Sequence, residues 1–502
     1  MSVSDLLATQ RTRVRSIVVV GSLAALLAGI LAAQLAISGH VFLIAMLAGA
    51  AFPIVVWRRP DISIALVVLI AALIEQFPIG QSPMSSLPAL IVTDQIPLFV
   101  SFNGSLGVSG LLVSPVEIAL MVMVLVWVMK GIQRRTLHLP RSSLATSLGL
   151  FTLVLILGEV LGLAHGGNFR ESVDELRPWV YLMVLFLVVS QTLTRPAAFR
   201  LLLWAFVIGT GIKSIQGSIR FFAIRNALPR PEAILAHEEA VFFGLFVILL
   251  VALWLFKERS RLRMVATCLL PTVLLADLGN NRRAAWLILF AGLVCLAVAA
   301  FTRLPDRRRA IATWAGALAL MGSVYLAIFW SSDGSLAQPA RAVRSAVSPS
   351  TRDNLSDLYR LQENANLQFN IKRAGPLGTG FGVPIDYALP ITDLTKTIPS
   401  LAFVPHDGIL YVWMRLGLLG IILFWCFIGA GVIAACRLIR SRDQRLLLFG
   451  ALALCALVAY VVEGYYDLGL SWFRVAVFMG CVLGAVEAAG RMTPVALPSS
   501  RL

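Results

Sequence analysis

Several arginines and one histidine at the edges of apolar segments are the residues of this sequence best suited to chemistry. An arginine side chain is always charged, and its rigid fork binds phosphate through two parallel hydrogen bonds. Histidine exchanges a proton near neutral pH. The residues of this kind that can share one side of a membrane are Arg282, Arg283, Arg360, Arg373, Arg415 and His406. Their combination indicates a diphosphate held close to the membrane surface.

A glycine-rich run, GPLGTGFG, follows two of these arginines at Gly375–Gly382. Glycine tolerates positive φ and close backbone approach, so the amides of such a run could cradle a phosphate. Gly378, Gly380 and Gly382 are the candidate positions. The run lacks the Lys-Ser/Thr ending of a P-loop and the strand–helix context of a dinucleotide site. A turn that ends a helix is the alternative interpretation.

Acid–base candidates surround the same region. His406 could act as a general base or orient an acceptor hydroxyl, although a lone histidine at a helix start is more often a capping or interface residue. Asp407 and Glu363 are weaker candidates for that role. Arg282 or Arg283 and Arg360 would clamp the diphosphate, with Arg373 as a secondary donor. The sequence contains no Asp-x-Asp pair or histidine cluster, so we expect a metal-independent site without a cofactor.

The composition places these residues in a membrane protein. Of the 502 residues, 59% are hydrophobic and only 14% are charged, and mean hydropathy is +0.86. Soluble domains carry about 25% charged residues, so a soluble fold is excluded, and so is disorder. The net charge of +16 comes from short basic clusters between apolar runs. Such clusters orient a membrane protein, and they do not indicate nucleic acid as a partner.

Apolar segments long enough to cross a bilayer predict an all-α polytopic bundle of about 12–14 spans. The fourteen segments are 17–38, 41–57, 62–77, 111–129, 144–165, 178–194, 199–217, 239–256, 264–280, 284–302, 310–330, 406–436, 446–464 and 470–490. With both termini cytoplasmic, 25 of the 42 Lys and Arg residues lie on the cytoplasmic side, as the positive-inside rule requires. The first segment lacks a convincing cleavage site, so we expect it to stay in the chain.

Ionisable residues inside these segments cluster near their outer ends. They are Glu75, Glu117, Glu159, Lys213, Asp277, Arg415, Glu463 and Arg474. Among the acidic residues of the segments, Glu487 is the exception on the inner side. Charges in the bilayer are costly, so this skew predicts a polar cavity open to the extracytoplasmic face. The alternative is that individual residues of the set extend to the membrane interface or end a helix. The one long polar loop, 331–405, belongs to the same face, and its apolar spacing predicts a helix over Asn354–Arg373.

The region 265–425 resembles the O-antigen ligase/polymerase superfamily. The resemblance rests on GTGFG, on His406 about two dozen residues later, on the RLGLLG helix that follows, and on NNRRAAWLILF at Asn280–Phe290. Asn281 stands where the family usually has serine. DELRPWVYLMVLF at Asp174–Phe186 is a weaker match to the family. The family pattern implies essential roles for Arg282 or Arg283, Arg360 and His406.

The resemblance implies a GT-C-like membrane glycosyltransferase in the bacterial inner membrane. Such an enzyme takes a glycan from undecaprenyl diphosphate on the extracytoplasmic face and needs no metal. The acceptor could be a lipid A core in lipopolysaccharide, a growing polysaccharide or a protein, and direct displacement would invert the sugar C1. The corresponding division of the chain is 1–263, 264–436 and 437–502: N-terminal helices, ligase-like core, then C-terminal helices and a cytoplasmic tail.

Two other functions remain open on the sequence alone. A polysaccharide or lipid-linked glycan transporter would often contain internal repeats, and the sequence shows none, because the long loop occurs once. A structural scaffold would leave the skew of charged residues unexplained.

Overall fold

The computed structural model describes residues 41–77, 96–106, 111–135, 139–224, 233–332, 334–348, 350–396 and 398–492. These residues form sixteen α-helices and no strand. The helices are α1 (Val41–Arg58), α2 (Pro60–Leu73), α3 (Phe102–Leu106), α4 (Pro115–Arg134), α5 (Ser143–Ala164), α6 (Phe169–Thr192), α7 (Pro196–Ile224), α8 (Glu239–Leu255), α9 (Arg261–Asn280), α10 (Arg283–Arg303), α11 (Arg308–Phe329), α12 (Gln338–Val347), α13 (Thr351–Ala374), α14 (Gly408–Ile439), α15 (Gln444–Tyr466) and α16 (Phe473–Met492).

The chain divides into two compact units, Met1–Arg58 and Arg59–Leu502. In the described part of the first unit the structure contains helix α1. The second unit holds every other helix named above. The division of the chain at 263 and 436 stays a prediction.

The prediction of an all-α, multi-pass bundle is confirmed. Within the described residues, nine helices are long and apolar enough to cross a membrane: α4, α5, α7, α9, α10, α11, α14, α15 and α16. Helices α2 and α8 are apolar but shorter. The predicted span 17–38 lies outside the described residues.

Helix α6 starts earlier than the sequence pattern predicted. The predicted span was 178–194, whereas the helix begins at Phe169, because the Asn168 side chain accepts hydrogen bonds from the amides of Arg170 and Glu171. An N-cap of this kind starts a helix regardless of the polarity of the first turns. The extra turns carry charged residues that an apolar window excludes.

The bundle is packed around α16. Nearly all of α16 is buried, and an added Cβ at Gly480 would lie 2.6 Å from the Leu182 carbonyl oxygen of α6. Small residues allow this close helix approach in membranes. Helix α11 is the opposite case, since Ile311 is its one buried residue and side chains such as Trp314 and Ile328 are exposed. We interpret α11 as a lipid-facing helix.

Residues 330–407 lie at one end of the bundle, where α9 and α15 end and α10 and α14 begin. We call this the loop end. The predicted helix over Asn354–Arg373 is confirmed as α13, which starts three residues earlier. Ser350 and Asp353 form a capping box there, a start signal present in the sequence. The loop contains a second helix, α12, that the sequence analysis did not predict.

Candidate functional site

Seven ionisable side chains meet at the loop end, and we call this group the loop-end pocket. Its members are His237, Arg282, Arg360, Glu363, His406, Glu463 and Asp467. They come from five separate parts of the chain. The helices that hold them are α13, α14 and α15, together with the turn between α9 and α10 and the segment before α8.

His406 is held by Glu363 of α13. The Nδ1 atom of His406 lies 3.1 Å from both carboxylate oxygens of Glu363, and the His406 amide donates to Oε2 at 3.1 Å. The ring also contacts Tyr359 edge-on, with 5.7 Å between centroids. Glu363 is buried, and 18% of the His406 side chain is exposed. This arrangement fixes the ring through Nδ1.

A second histidine–carboxylate pair lies beside the first. Nδ1 of His237 is 2.8 Å from Oδ2 of Asp467, the residue that follows α15. The segment before His237 is anchored by Asn280, which accepts from the Leu235 amide and donates to the Ala236 carbonyl, both at 3.0 Å. The two histidines lie within electrostatic range of each other. The pocket therefore contains two dyads of the same kind.

Arg360 and Arg282 supply positive charge to the same pocket. Arg360 donates to the carbonyl of Tyr466, which fastens α13 to the end of α15. It interacts electrostatically with Asp467 and Glu463. Arg282 interacts in the same way with His237 and Glu463. Two guanidinium groups and a histidine at one membrane boundary are suited to an anionic ligand.

The two histidines are tuned in opposite directions. Burial lowers the pKa of His406, but the hydrogen bond and charge of Glu363 outweigh it, so the pKa is raised above 6.5. For His237 burial dominates over the attraction of Asp467, and its pKa is lowered below 6.5. His406 therefore holds a proton more readily than His237 does. Opposed pKa values in one pocket are typical of acid–base pairs.

Asp407 serves as the N-cap of α14. Its Oδ1 atom accepts from the amides of Ile409 and Leu410, each at 3.0 Å, and Asn364 donates to Oδ2 at 3.4 Å. Burial raises the pKa of this carboxyl, although the two amides oppose the effect. Its placement supports a role in positioning His406 rather than in proton transfer.

The structure separates Arg283 from Arg282. Arg283 forms two hydrogen bonds to Asp357 of α13, at 2.7 and 3.3 Å, and another to Ser345 of α12 at 3.4 Å. It therefore ties the loop helices to the start of α10. Arg373 forms an ion pair with Asp386 on the surface, where both side chains are more than half exposed. Neither arginine belongs to the loop-end pocket.

Arg415 lies in a different group that we call the wedge knot: the buried side chains of Glu175, Tyr411 and Arg415 together with residues 378–383. Arg415 Nε is 2.7 Å from Glu175 Oε2, and Tyr411 donates to the same oxygen at 2.8 Å. Its other nitrogens donate to four oxygens of Thr379, Gly380, Val383 and Phe403. The guanidinium group is saturated by protein acceptors.

The glycine-rich run forms the part of the wedge knot that is packed between two helices. It lies between α5 and α14, and an added Cβ at Gly162 would be 2.0 Å from the Phe381 carbonyl oxygen. The amides from Thr379 to Gly382 donate to Met414 O, Arg415 O, Gly158 O and Glu175 Oε1. Those four amides have no hydrogen to offer a phosphate. Positive φ at Gly378, Gly380 and Gly382 serves close packing here.

A third ionic group is buried between α2, α7, α8 and α16. Lys213 Nζ lies 2.7 Å from Glu75 Oε1, and Arg474 contacts Glu239 at 2.6 Å and Glu238 at 3.1 Å. Glu238 follows His237 directly, so this network adjoins the loop-end pocket. Each buried charge of this network therefore has an oppositely charged neighbour.

Sequence reasoning missed His237, Asp467 and Glu463 as site residues, although each lies at the boundary where the charge skew was noticed. Nothing in their local spacing links them, because they meet only in the folded chain; His237 and Asp467, for example, are 230 residues apart. Over the described residues, no group of three or more His, Cys, Asp or Glu side chains is arranged to hold a metal ion.

Compared with known protein families, the chain matches no family model, and no curated protein matches it significantly. A functional conclusion for this protein therefore depends on the chemistry of the loop-end pocket and on the motifs in the sequence.

Proposed function

We propose that this protein is a membrane glycosyltransferase of the O-antigen ligase/polymerase type. It would move a glycan from an undecaprenyl-diphosphate carrier to an acceptor hydroxyl. The observation that carries the proposal is the convergence of Arg282, Arg360 and His406 in one pocket at the end of a membrane bundle. The motif resemblance singles out Arg360, His406 and one of the two arginines Arg282 and Arg283.

The pocket chemistry fits this reaction. The bond between sugar C1 and the diphosphate breaks with its electron pair on a phosphate oxygen, so negative charge grows on the leaving group. Preorganised cations stabilise such charge by about 3–4 kcal/mol per donor group. Arg282 and Arg360 would hold the diphosphate. Glu363 fixes the ring of His406 next to it, and attack of the acceptor oxygen from the opposite side would invert C1.

The proposed location follows from the basic clusters. With N- and C-termini in the cytoplasm of a bacterial cell, the loop end faces the extracytoplasmic side, where carrier-linked glycans are displayed. The polyprenyl chain would stay in the bilayer while the diphosphate reaches the boundary. The acceptor class, whether lipid A core, polysaccharide or protein, is left open.

The direct test uses purified protein in lipid nanodiscs. The carrier-linked glycan extracted from the native membranes serves as donor, and the lipid, polysaccharide and protein fractions serve as acceptors. Covalent transfer to one fraction, lost in Arg360→Ala and His406→Gln variants of normal expression, supports the proposal. Retained transfer in both variants contradicts it.

A transporter for lipid-linked glycans is the second candidate. The observation that favours it is the buried network of Glu75, Lys213 and Arg474, because intramembrane ion pairs often mark transport pathways. Reconstituted liposomes separate the two functions. Movement of the donor between leaflets without covalent product favours transport, and covalent product without movement favours transfer.

A further inference from the structure

The loop-end pocket contains one histidine dyad more than a single acid–base group requires. His406 with Glu363 and His237 with Asp467 have the same geometry: a carboxylate at Nδ1 and a ring of which a minor part is exposed. In each ring, Nε2 is the nitrogen left for a reactant. Two reactants also meet in glycosyl transfer, a leaving diphosphate and an attacking hydroxyl.

We propose that His237, held by Asp467, is the general base for the acceptor hydroxyl, while His406, held by Glu363, joins Arg282 and Arg360 around the diphosphate. This assignment rests on the proposed glycosyl transfer and divides its roles between the two dyads.

The step balances without a further reactant. The acceptor O–H proton moves to Nε2 of His237, and the acceptor oxygen forms the new bond to sugar C1. The bond from C1 to the diphosphate oxygen breaks, and its electron pair stays on that oxygen. Arg282, Arg360 and the His406 imidazolium neutralise the new charge, and His237 then releases its proton to water.

The surroundings of each ring support this division. The groups that act on His237 are Asp467, Arg282 and His406, and its chain neighbour Glu238 is engaged by Arg474. The groups that act on His406 are Glu363, Asp467 and Arg360. His237 has a lowered pKa, which suits a neutral base, and His406 has a raised pKa, which suits a retained cation.

The anchoring of His237 gives independent, geometric support. Asn280 fixes both polar groups of the backbone just before His237, with the Leu235 amide and the Ala236 carbonyl bonded to one side chain. Asn280 lies two residues before Arg282. A single turn of the chain therefore sets the distance between the proposed base and one diphosphate ligand, as a displacement reaction requires.

The first experiment measures proton affinity without any substrate. Protein labelled with ¹⁵N-histidine, of which the chain has five, is titrated in nanodiscs by NMR, and His237→Gln and His406→Gln assign the two signals. We expect His237 to titrate below pH 6.5 and His406 above it. Titration of both on the same side of that value overturns the division of roles, whatever the enzyme does.

The second experiment measures the pH dependence of transfer from the carrier-linked glycan. His237→Gln should lower the rate about 100- to 10,000-fold, the usual value of acid–base catalysis. Glu363→Gln removes a charge next to His406 and should move the high-pH limb down by about one to three units. Asp467→Asn should instead move the low-pH limb down, because the His237 pKa falls.

The outcomes separate the two proposals. Absence of transfer by the wild-type protein contradicts the proposed function itself. Normal transfer by the wild type together with full activity of His237→Gln contradicts only the role of His237. A rate that falls equally at every pH in Asp467→Asn, with neither limb displaced, indicates a structural role and also overturns the inference.

Discussion

The loop-end pocket and the wedge knot use the same kinds of residue for different purposes. Each contains arginine, carboxylates and part of the 330–407 segment. In the wedge knot, Arg415 has no exposed surface and every one of its nitrogens donates to a protein oxygen. In the loop-end pocket, His237 and His406 each keep 18% of the side chain exposed and one ring nitrogen for a reactant.

The contrast shows that the two groups differ in how many of their polar atoms already have hydrogen-bond partners in the protein, and not in residue type. A buried guanidinium whose donors all have partners fixes the backbone around it. A partly exposed histidine with one engaged nitrogen is oriented and still able to exchange a proton. Arginine and histidine at a membrane boundary are therefore informative only together with a count of their partners.

The largest effect should come from breaking the wedge knot. Arg415→Leu leaves the buried Glu175 carboxyl without its ion-pair partner, which costs about 3–5 kcal/mol. We expect little folded protein and a large fall in the melting temperature in detergent. The double variant Glu175→Leu/Arg415→Leu should recover part of that loss, because no charge is then stranded. Equal yields of wild type and Arg415→Leu would contradict the role of the knot.

The next effect concerns catalysis at the pocket. Arg360→Ala should reduce glycan transfer about 100- to 1,000-fold by removing one donor to the developing charge, with a normal amount of folded protein. Arg373→Ala is the matched control on the same helix, since its ion pair with Asp386 is exposed and worth about 0–1 kcal/mol. A similar loss in both variants would remove the distinction between pocket and surface.

The third prediction concerns pH and stability. Glu363 raises the pKa of His406 above 6.5, so the folded state binds that proton more tightly than the unfolded state. The resulting stabilisation, about 1.5–3 kcal/mol for a charged hydrogen bond, is complete below pH 6.5 and is lost as pH rises through the raised pKa. Thermal unfolding of wild type and Glu363→Gln should therefore differ most at low pH. A stability difference between the two proteins that increases with pH would contradict this prediction.

The smallest effect is expected for Arg283→Gln, and comparison with Arg282→Gln distinguishes the two adjacent arginines. Arg282→Gln should impair transfer nearly as much as Arg360→Ala. Arg283→Gln loses a partly exposed ion pair with Asp357, which contributes about 1 kcal/mol or less to stability, and should leave the rate of transfer close to that of the wild type. Parallel assays on protein of equal folded yield measure both. A larger loss of transfer in Arg283→Gln than in Arg282→Gln would assign diphosphate binding to Arg283 instead of Arg282.

Much of the fold could be predicted from the sequence because apolar length and basic clusters determine membrane helices locally. Helix α13 was predictable because its apolar residues recur at helical spacing. The start of α6 was not, because the Asn168 cap extends the helix into a charged segment. Helix α12 has only ten residues, and the sequence analysis did not identify it although Ala340, Val343 and Val347 recur at helical spacing.

The candidate site was predictable only in part. The motifs and the charge pattern identified Arg282, Arg360 and His406 as candidates, but the sequence did not distinguish Arg282 from Arg283. That choice depends on Asp357, which lies 74 residues away. The role of Arg415 was equally hidden, because its saturation depends on Glu175 and on backbone carbonyls that no spacing rule connects.

The wedge knot also constrains the order in which the protein can be assembled. The Gly382 amide bonds to Glu175, 207 residues earlier in the chain. At about 5–20 residues per second, α5 and α6 wait in the membrane for roughly 10–40 s before their wedge is synthesised. During that interval the Glu175 carboxylate has neither Arg415 nor the glycine-rich run as a partner. During biogenesis an acidic helix is therefore present for that interval without the partners that it has in the folded protein.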